Sequence, residues 1–182
     1  MKRTRLFFRG VSEIVGNTQL AVLMLTDEEE QRQITIVCDK VMAVQIEMRM
    51  KRLNITAGFL PEVLCCMLSK LSGATMEVII TSVDDGQYRC FVCFGPGWIE
   101  PIAIRASDAV LLSLITDTPI YMESGLFKLQ SVQYKKNSRG VALPVNTLSA
   151  DMLQEALDKA INDENYELAS KLRDEKLKRG AK

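Results

Sequence analysis

The sequence predicts an α+β protein. An antiparallel or mixed-sheet body, built from two β-rich units with helices, is followed by a C-terminal two-helix hairpin. Strand-length segments of alternating apolar and polar residues occur in two groups of three, and helical periodicity follows each group. The C-terminal segment shows helical periodicity alone. The 182 residues suit one domain of about 145 residues with a small appendage. We therefore expect a body at 1–134, a linker at 135–148 and the hairpin at 149–182.

The first β-rich unit is expected to contain strands at residues 6–14, 19–25 and 33–37, with a turn at Gly16-Asn17 and an acidic loop at 27–30. Asp39 can act as the N-cap of a helix at 40–52. In this helix Val41, Val44 and Met48 have the spacing of a core-facing stripe, which Met42, Ile46 and Met50 widen. A second helix, at 59–72, is expected to end at Gly73.

The second unit repeats the three-strand pattern. Strands are predicted at 75–83, 87–94 and 98–105, with turns at 84–86 and 95–97. Ser107 can cap a short helix at 108–115, and a final strand is predicted at 119–122. Because side chains alternate along a strand, Tyr88, Cys90, Val92 and Phe94 are expected to share one apolar face.

Composition excludes several classes of site. The chain has no histidine, which removes Ser-His-Asp and Cys-His catalysis and imidazole metal sites. Lys+Arg and Asp+Glu balance at 23 each, so no global charge attracts nucleic acid or an anionic membrane. Five cysteines and no secretory signal indicate reduced thiols in a cytoplasmic protein. No segment reaches the roughly 18 apolar residues of a membrane-spanning helix.

The boundary between a predicted strand and helix at residues 105–108 is the first candidate site. Ser107 and Asp108 lie where a strand ends and a helix begins, which directs side chains and free N–H groups toward a ligand. The alternative is that Ser107 or Asp108 only caps the helix.

This segment resembles the hallmark of the bifunctional-nuclease domain family of bacteria and plants. Arg105-Ala106-Ser107-Asp108-Ala109 stands where that family has Arg-Pro-Ser-Asp-Ala, with Pro119-Ile120 at the expected distance. The similarity covers about residues 6–134. It implies Arg105, Ser107 and Asp108 as candidate catalytic residues. Because phosphodiester hydrolysis normally uses converging carboxylates and divalent metal, Mg²⁺ or Mn²⁺ would be held by Asp108 with Asp39, Glu47 or Glu100.

The sequence departs from this family pattern at several polar positions. The family's helix glutamate falls on Met42, its Thr-His-Asp turn on Thr56-Ala57-Gly58, and an aspartate two residues before the hallmark arginine on Ala103. We therefore expect a catalytically degenerate member of the family. The alternative is a metal-dependent nuclease that hydrolyses DNA or RNA.

The C-terminal segment resembles the UVR motif, an interaction hairpin found in UvrB, in UvrC and in some stress-response adaptors. The pattern reads Leu153-x-x-Ala156-Leu157-x-x-Ala160, then Tyr166-Glu167-x-Ala169-x-x-x-Arg173-Asp174. Ser149 can cap the first helix, and residues 162–165 can turn the chain. The resemblance implies a partner-binding surface that contains Tyr166, Glu167, Ala169, Leu172, Arg173 and Asp174.

A hairpin of this size is too small to be stable alone. Ordering about 30 residues costs roughly 45 kcal/mol, which about 1,800 Å² of buried apolar area would offset. The side chains expected to meet between the helices supply less than this: Leu153, Ala156, Leu157, Ala160 and Ile161 on the first, Tyr166, Ala169 and Leu172 on the second. We therefore expect the hairpin to dock onto its own body, a protein partner or a second copy, which would make the chain a homo-oligomer. DNA or RNA is a second expected class of partner, and no membrane is expected. A link to DNA repair is an analogy that rests on the shared UVR motif.

Overall fold

The structure, a computed structural model, describes residues 2–14, 17–70, 75–84, 86–95, 99–134 and 150–180. Within these ranges the chain forms an eight-stranded mixed sheet, body helices and a C-terminal pair of helices. This confirms the predicted α+β class with its terminal hairpin. Several predicted features lie outside the described residues: the turn residues Gly16, Asp85 and 96–97, the helix end at Gly73, the linker at 135–148 and the cap Ser149.

Most elements lie where the periodicity predicts them. The strands are β1 (Arg3–Ile14), β2 (Asn17–Thr26), β3 (Arg32–Asp39), β4 (Thr75–Asp84), β5 (Gln87–Gly95), β6 (Ile102–Arg105), β7 (Ile120–Glu123) and β8 (Val132–Gln133). The helices are α1 (Lys40–Met50), α2 (Leu60–Ser69), α3 (Ala106–Thr116), α4 (Ser124–Gln130), α5 (Ala150–Asn162) and α6 (Tyr166–Gly180). Three short elements were not predicted, namely α4, β8 and a 3₁₀ helix at Asn54–Gly58. Segments this short show too little periodicity in their apolar residues to be recognised.

The sheet consists of two antiparallel meanders joined by one inserted strand. Its order is β6-β5-β4-β7-β1-β2-β3-β8, and β7 pairs antiparallel with β1 and parallel with β4. Each meander is followed by a helix, α1 after β3 and α3 after β6. The two β-rich units predicted from the sequence are therefore present.

The sheet curls around α3 until the two meanders meet. β3 and β6 are six positions apart in the strand order, which would separate them by about 29 Å in a flat sheet. Yet Nη1 of Arg105, the last residue of β6, lies 3.9 Å from Oδ2 of Asp39, the last residue of β3. Helix α3 packs against β3, β5, β6 and β7, and Val110 in its middle is fully buried. The concave side of the sheet is thus filled by this helix.

The buried face of α1 is not the one that the apolar spacing predicts. Val41 and Val44 are 72% and 39% exposed. The buried side chains are Met42, Ala43 and Ile46. Asp39 does cap the helix as predicted, because its Oδ1 accepts a hydrogen bond from the backbone N–H of Met42 at 2.7 Å. Apolar residues occupy both sides of α1, so spacing alone could not identify its core face.

Two predicted boundaries at the second unit are wrong. Helix α3 begins at Ala106, and Ser107 lies buried inside its first turn instead of capping it. The N-cap position is Arg105, whose side chain makes no capping hydrogen bond. Strand β6 begins at Ile102, later than the predicted start at residue 98, which is outside the described ranges.

Helices α5 and α6 form a small hydrophobic core of their own. The buried side chains are Leu153, Ala160, Ala169 and Leu172, with Met152, Ala156 and Leu157 partly buried against them. The predicted packing of Ile161 and Tyr166 in this core is wrong, because these side chains are 51% and 69% exposed. The hairpin therefore packs with smaller side chains than the sequence suggested and leaves larger ones outside.

A largely buried ion pair joins α1 to α2. Nη2 of Arg49 lies 2.7 Å from Oε2 of Glu62, and the two side chains are only 5% and 16% exposed. Arg49 also donates to the backbone and side-chain oxygens of Gln45 and lies 5.7 Å from the centre of the Phe59 ring. These contacts fix the position of α2 relative to α1.

We expect Glu62→Gln to lower the free energy of unfolding by about 3 kcal/mol, because it leaves the buried Arg49 guanidinium without its counter-charge. Urea titration measures this loss. Glu77→Gln is the matched control, since Arg3 and Glu77 are also 2.7 Å apart but their side chains are 42% and 37% exposed; its loss should stay below about 1 kcal/mol. Equal losses in the two variants would contradict the role assigned to burial.

Candidate functional site

A cavity of about 300 Å³ lies where the ends of β3 and β6 meet. This volume is at the lower end of the range of about 300–1,000 Å³ for small-molecule sites. Most of the wall is apolar, and its polar part consists of Asp39, Gln87, Tyr88, Arg105 and Ser107. Met152 of α5 also lines the cavity, so the hairpin contributes to its wall.

Arg105 organises the charges on the polar side of this cavity. Its Nε donates to Oδ2 of Asp108 at 2.6 Å and its Nη2 donates to Oδ1 at 3.2 Å. Nη1 faces the Asp39 carboxylate at 3.9 Å. The hydrogen bond to Asp108 raises the pKa of Arg105 above its ordinary value, and the guanidinium stays charged. The donors of Arg105 are therefore directed toward two carboxylates of the same chain. The cluster of Arg105, Asp39 and Asp108 carries a formal charge of about −1.

The first turn of α3 lines the same cavity through Ala106 and Ser107. The N–H groups at a helix start lack partners within the helix and carry partial positive charge. Here Asp108 turns its carboxylate to Arg105, and Arg105 provides no cap. The structure thus brings Arg105, Ser107 and Asp108, the three predicted catalytic residues, to one strand-to-helix junction.

Tyr88 adds a buried hydroxyl to the cavity lining. The residue is 7% exposed, and its hydroxyl has no hydrogen-bond partner within the described parts of the chain. Burial raises the pKa of the Tyr88 hydroxyl far above its ordinary value, and the nearby Cys90 adds a smaller effect in the same direction. The hydroxyl is therefore neutral. Tyr88 lies on the apolar face of its strand as predicted, but no role was predicted for its hydroxyl. A phenol among Cys90 and Val92 was the signal that could have identified it.

Cys38 also lines the cavity but is not a reactive thiol. Burial, and then the charge of Asp39, raise the pKa of Cys38 to about 11, against a lowering effect of Arg105. Because the thiolate is the nucleophilic form, this thiol is unreactive near neutral pH. Cys90 follows the same pattern, since burial raises the pKa of its thiol to about 12.

The carboxylates predicted to hold a metal lie in different surroundings. Asp39 and Asp108 face the same guanidinium. Glu47 lies on α1, 3.8 Å from Nζ of Lys51, and lines a separate surface depression. Glu100 is exposed ahead of β6. In the ranges that the structure describes, no three or more Cys, Asp or Glu side chains are grouped so that they could hold a metal ion.

The hairpin residues predicted to form the partner surface divide into two sets. The exposed ones are Tyr166, Glu167, Arg173 and Asp174. Ala169 and Leu172 are 8% and 2% exposed, because they pack between the two helices. These two residues hold the hairpin together, and the partner surface itself stays a prediction.

We expect Tyr88→Phe to raise the free energy of unfolding by about 1 kcal/mol, because a buried hydroxyl without a partner is destabilising. Denaturant titration measures the change. Thr35→Val is a matched comparison, since Oγ1 of Thr35 is likewise buried without a partner among the described residues and Thr35 does not line the cavity. A loss of stability in Tyr88→Phe together with a gain in Thr35→Val would show that the Tyr88 hydroxyl is hydrogen-bonded in solution.

Comparison with known proteins gives two family matches. A search of curated proteins found no match. Separately, no helix in the described ranges has both the length and the apolar character needed to cross a membrane. The UvrB/uvrC motif (UVR) matches residues 150–175, which contain α5 and part of α6. The bifunctional nuclease domain matches residues 23–135, which include both meanders' final strands and the Arg105 junction. Because that match covers more than half of the chain, this protein belongs to the bifunctional nuclease domain family.

Proposed function

We propose that this bifunctional nuclease domain protein is an adaptor that binds a protein partner through its UVR hairpin. One observation carries the proposal. Helices α5 and α6 complete a core with each other and still expose Ile161, Tyr166 and Leu177 at 51%, 69% and 66%. A hairpin that folds on its own core and keeps large apolar side chains outside has what a docking surface requires.

The three exposed side chains lie on one face of the hairpin. In α6, Tyr166 and Leu177 are about three turns apart, and both lie roughly 100° around the helix from the buried Ala169 and Leu172. In α5, Ile161 lies roughly 100° in the same rotational sense from the buried residues of that helix. Two antiparallel helices are related by an approximate two-fold axis perpendicular to their common plane, so corresponding flanks face the same side. These three residues therefore form a single surface, whereas Leu168, which is 40% exposed, lies on the opposite flank of α6.

This surface fits a partner of particular chemistry. Arg173 is exposed and lies between Tyr166 and Leu177 on the same flank of α6. An apolar strip with a central arginine complements a helical surface that combines apolar side chains with a carboxylate. A hairpin with the same motif, in another protein or in a second copy, has this composition, because Asp174 neighbours Arg173 in the motif.

The geometry of the body supports association more than hydrolysis. Both carboxylate oxygens of Asp108 accept hydrogen bonds from Arg105. Met42, which stands where the family has a glutamate, is 8% exposed and belongs to the core. Ala103, which stands for a family aspartate, is exposed on β6 and brings no ionisable group. Catalytic degeneracy is therefore part of the proposal.

A metal-dependent nuclease acting on DNA or RNA is the second candidate. It is favoured by the placement of Asp39 and Asp108 beside one arginine at a cavity. However, the donor set as observed does not fit Mg²⁺ or Mn²⁺, because the cation would have to displace the Arg105 guanidinium from Asp108. A connection to DNA repair rests only on the motif shared with UvrB and UvrC.

Hairpin docking is tested by calorimetric titration of the full chain with purified UvrB and with purified UvrC. We expect at least one of these to bind, and Tyr166→Asp and Leu177→Asp each to weaken binding at least tenfold, about 1.4 kcal/mol, since each places a charge in an apolar contact. Leu129→Asp is the matched control, because Leu129 is 80% exposed on α4 of the body. Binding that is absent for both proteins, or unchanged in both hairpin variants, would contradict the proposal.

Catalytic degeneracy is tested by incubating the full chain with single-stranded DNA and RNA in the presence of Mg²⁺ or Mn²⁺. We expect no cleavage above that of the Asp108→Ala variant, because the Asp108 oxygens are engaged by Arg105. Gel analysis of end-labelled substrate, with EDTA as the control, gives the result. Metal-dependent cleavage that disappears in Asp108→Ala would establish the nuclease instead.

A further inference from the structure

The cavity between the ends of β3 and β6 has a buried wall and an exposed rim. Tyr88 and Ser107 are each 7% exposed and belong to the buried wall. The side chains of Asp39 and Arg105 are 50% and 65% exposed, so these charges stand at the rim. A water molecule takes up roughly 30 Å³ in the liquid, and the cavity measures about 300 Å³. The cavity therefore has room for a small organic molecule.

The buried wall offers hydrogen-bond donors that lack an acceptor. The Tyr88 hydroxyl has no partner within the described parts of the chain, and a buried hydroxyl left unpaired is destabilising. No side chain caps α3, whose first residues, Ala106 and Ser107, line the same wall. The backbone N–H groups of a helix start carry partial positive charge and favour carboxylate oxygens. A carboxylate on a ligand would give these donors the acceptor that they lack.

The rim offers the opposite group, a carboxylate oxygen that can accept. Oδ1 of Asp39 accepts from the backbone N–H of Met42, whereas Oδ2 lies 3.9 Å from Nη1 of Arg105, beyond hydrogen-bond distance. Arg105 gives its hydrogen bonds to Asp108. Because the cluster of these three charged side chains is negative overall, it repels a simple anion and attracts a ligand with a positive group at Asp39.

The remainder of the lining is suited to an aliphatic group. It comes from four apolar side chains, namely Leu20, Ile36, Val37 and Met152. An aliphatic group placed among them leaves water, which favours binding in proportion to the apolar area removed. A cavity of mostly apolar lining with a few polar groups at fixed places is typical of a small-molecule site.

We propose that this cavity binds a free aliphatic α-amino acid of about the size of leucine. An α-amino acid carries its carboxylate and its ammonium group on one carbon, and the groups that fit them are adjacent here, because Asp39 lies beside Arg105, the N-cap residue of α3. The carboxylate accepts from Tyr88 and from the start of α3, and the ammonium group donates to Oδ2 of Asp39. The ligand is neutral overall, so the negative rim does not repel it.

This site goes beyond the hairpin docking of the proposed function and does not rest on it. Met152 of α5 lines the cavity, whereas Tyr166 and Leu177, which carry the docking proposal, do not. Tyr166→Asp should therefore bind the amino acid with the affinity of the wild type. Loss of the hairpin partner and loss of the ligand are in this way separate outcomes.

The proposal is tested by calorimetric titration of the full chain with L-leucine, with isocaproate, which lacks the ammonium group, and with isoamylamine, which lacks the carboxylate. We expect L-leucine to bind with a Kd below about 1 mM. Each analogue should bind at least tenfold more weakly, because each leaves one set of protein groups without its partner.

Two conservative variants assign the binding groups. Tyr88→Phe should weaken L-leucine binding at least tenfold while the free protein stays folded. Asp39→Asn keeps a good N-cap for α1 and removes the negative charge; it should weaken L-leucine binding at least tenfold and strengthen isocaproate binding, which a folding defect would not do. Thr35→Val is the matched control, since Thr35 also has a buried hydroxyl without a partner among the described residues but does not line the cavity. Its affinity should equal that of the wild type.

Three results would overturn the proposal. The first is no saturable binding of L-leucine, which would leave the Tyr88 hydroxyl to ordered water. The second is an analogue that binds as tightly as L-leucine. The third is wild-type affinity in both Tyr88→Phe and Asp39→Asn.

Discussion

The closure of the curled sheet around α3 is the constraint on which the rest of the body depends. Eight strands with α3 on their concave side bring together residues that a flat sheet would keep far apart, namely Asp39 at the end of β3 and Arg105 at the end of β6. Val110 and Leu111 of α3 are buried inside this curve, so the helix sets how far the sheet can close. The cavity lies at the closure because the two strand ends, each followed by a helix start, leave space that the side chains do not fill.

The closure also determines the chemistry of the site. It delivers two carboxylates and one arginine, and the arginine donates hydrogen bonds to both oxygens of Asp108 and lies 3.9 Å from Asp39. A site that hydrolyses phosphodiesters needs charges that remain available to the metal and the phosphate. Among the other polar groups of the lining, the hydroxyls of Tyr88 and Ser107 and the amide of Gln87 are neutral, and the thiol of Cys38 is neutral below a pKa of about 11. This is why the proposed function assigns binding, and not hydrolysis, to the cavity.

Much of the fold could be predicted from the sequence because it depends on local patterns. The alternation in β5 and the N-cap at Asp39 are read from neighbouring residues, and both predictions were confirmed. The predicted core face of α1 was wrong because Val41 and Met42 are both apolar, and the packing of α1 against α3 and the sheet decides which of them is buried. The pairing of Arg105 with Asp39 joins residues 66 positions apart across the closed sheet, and no pattern along the chain specifies that distance. No pattern along the chain indicates either that the Tyr88 hydroxyl has no hydrogen-bond partner among the described residues.

The errors at α1 and at the hairpin have a common physical origin, and it bears on function. In both places the sequence carries more large apolar side chains than one buried face can accommodate, and the structure leaves the surplus outside: Val41 and Val44 on α1, Ile161 and Tyr166 on the hairpin. A surplus on two separate elements is difficult to explain by folding, since exposed apolar area stabilises nothing in a monomer. Docking of a partner helix against Ile161 and Tyr166 accounts for the surplus on the hairpin, as the proposed function requires. The core around Leu153 and Leu172 holds the two helices together, and the exposed side chains supply the contact area for the partner.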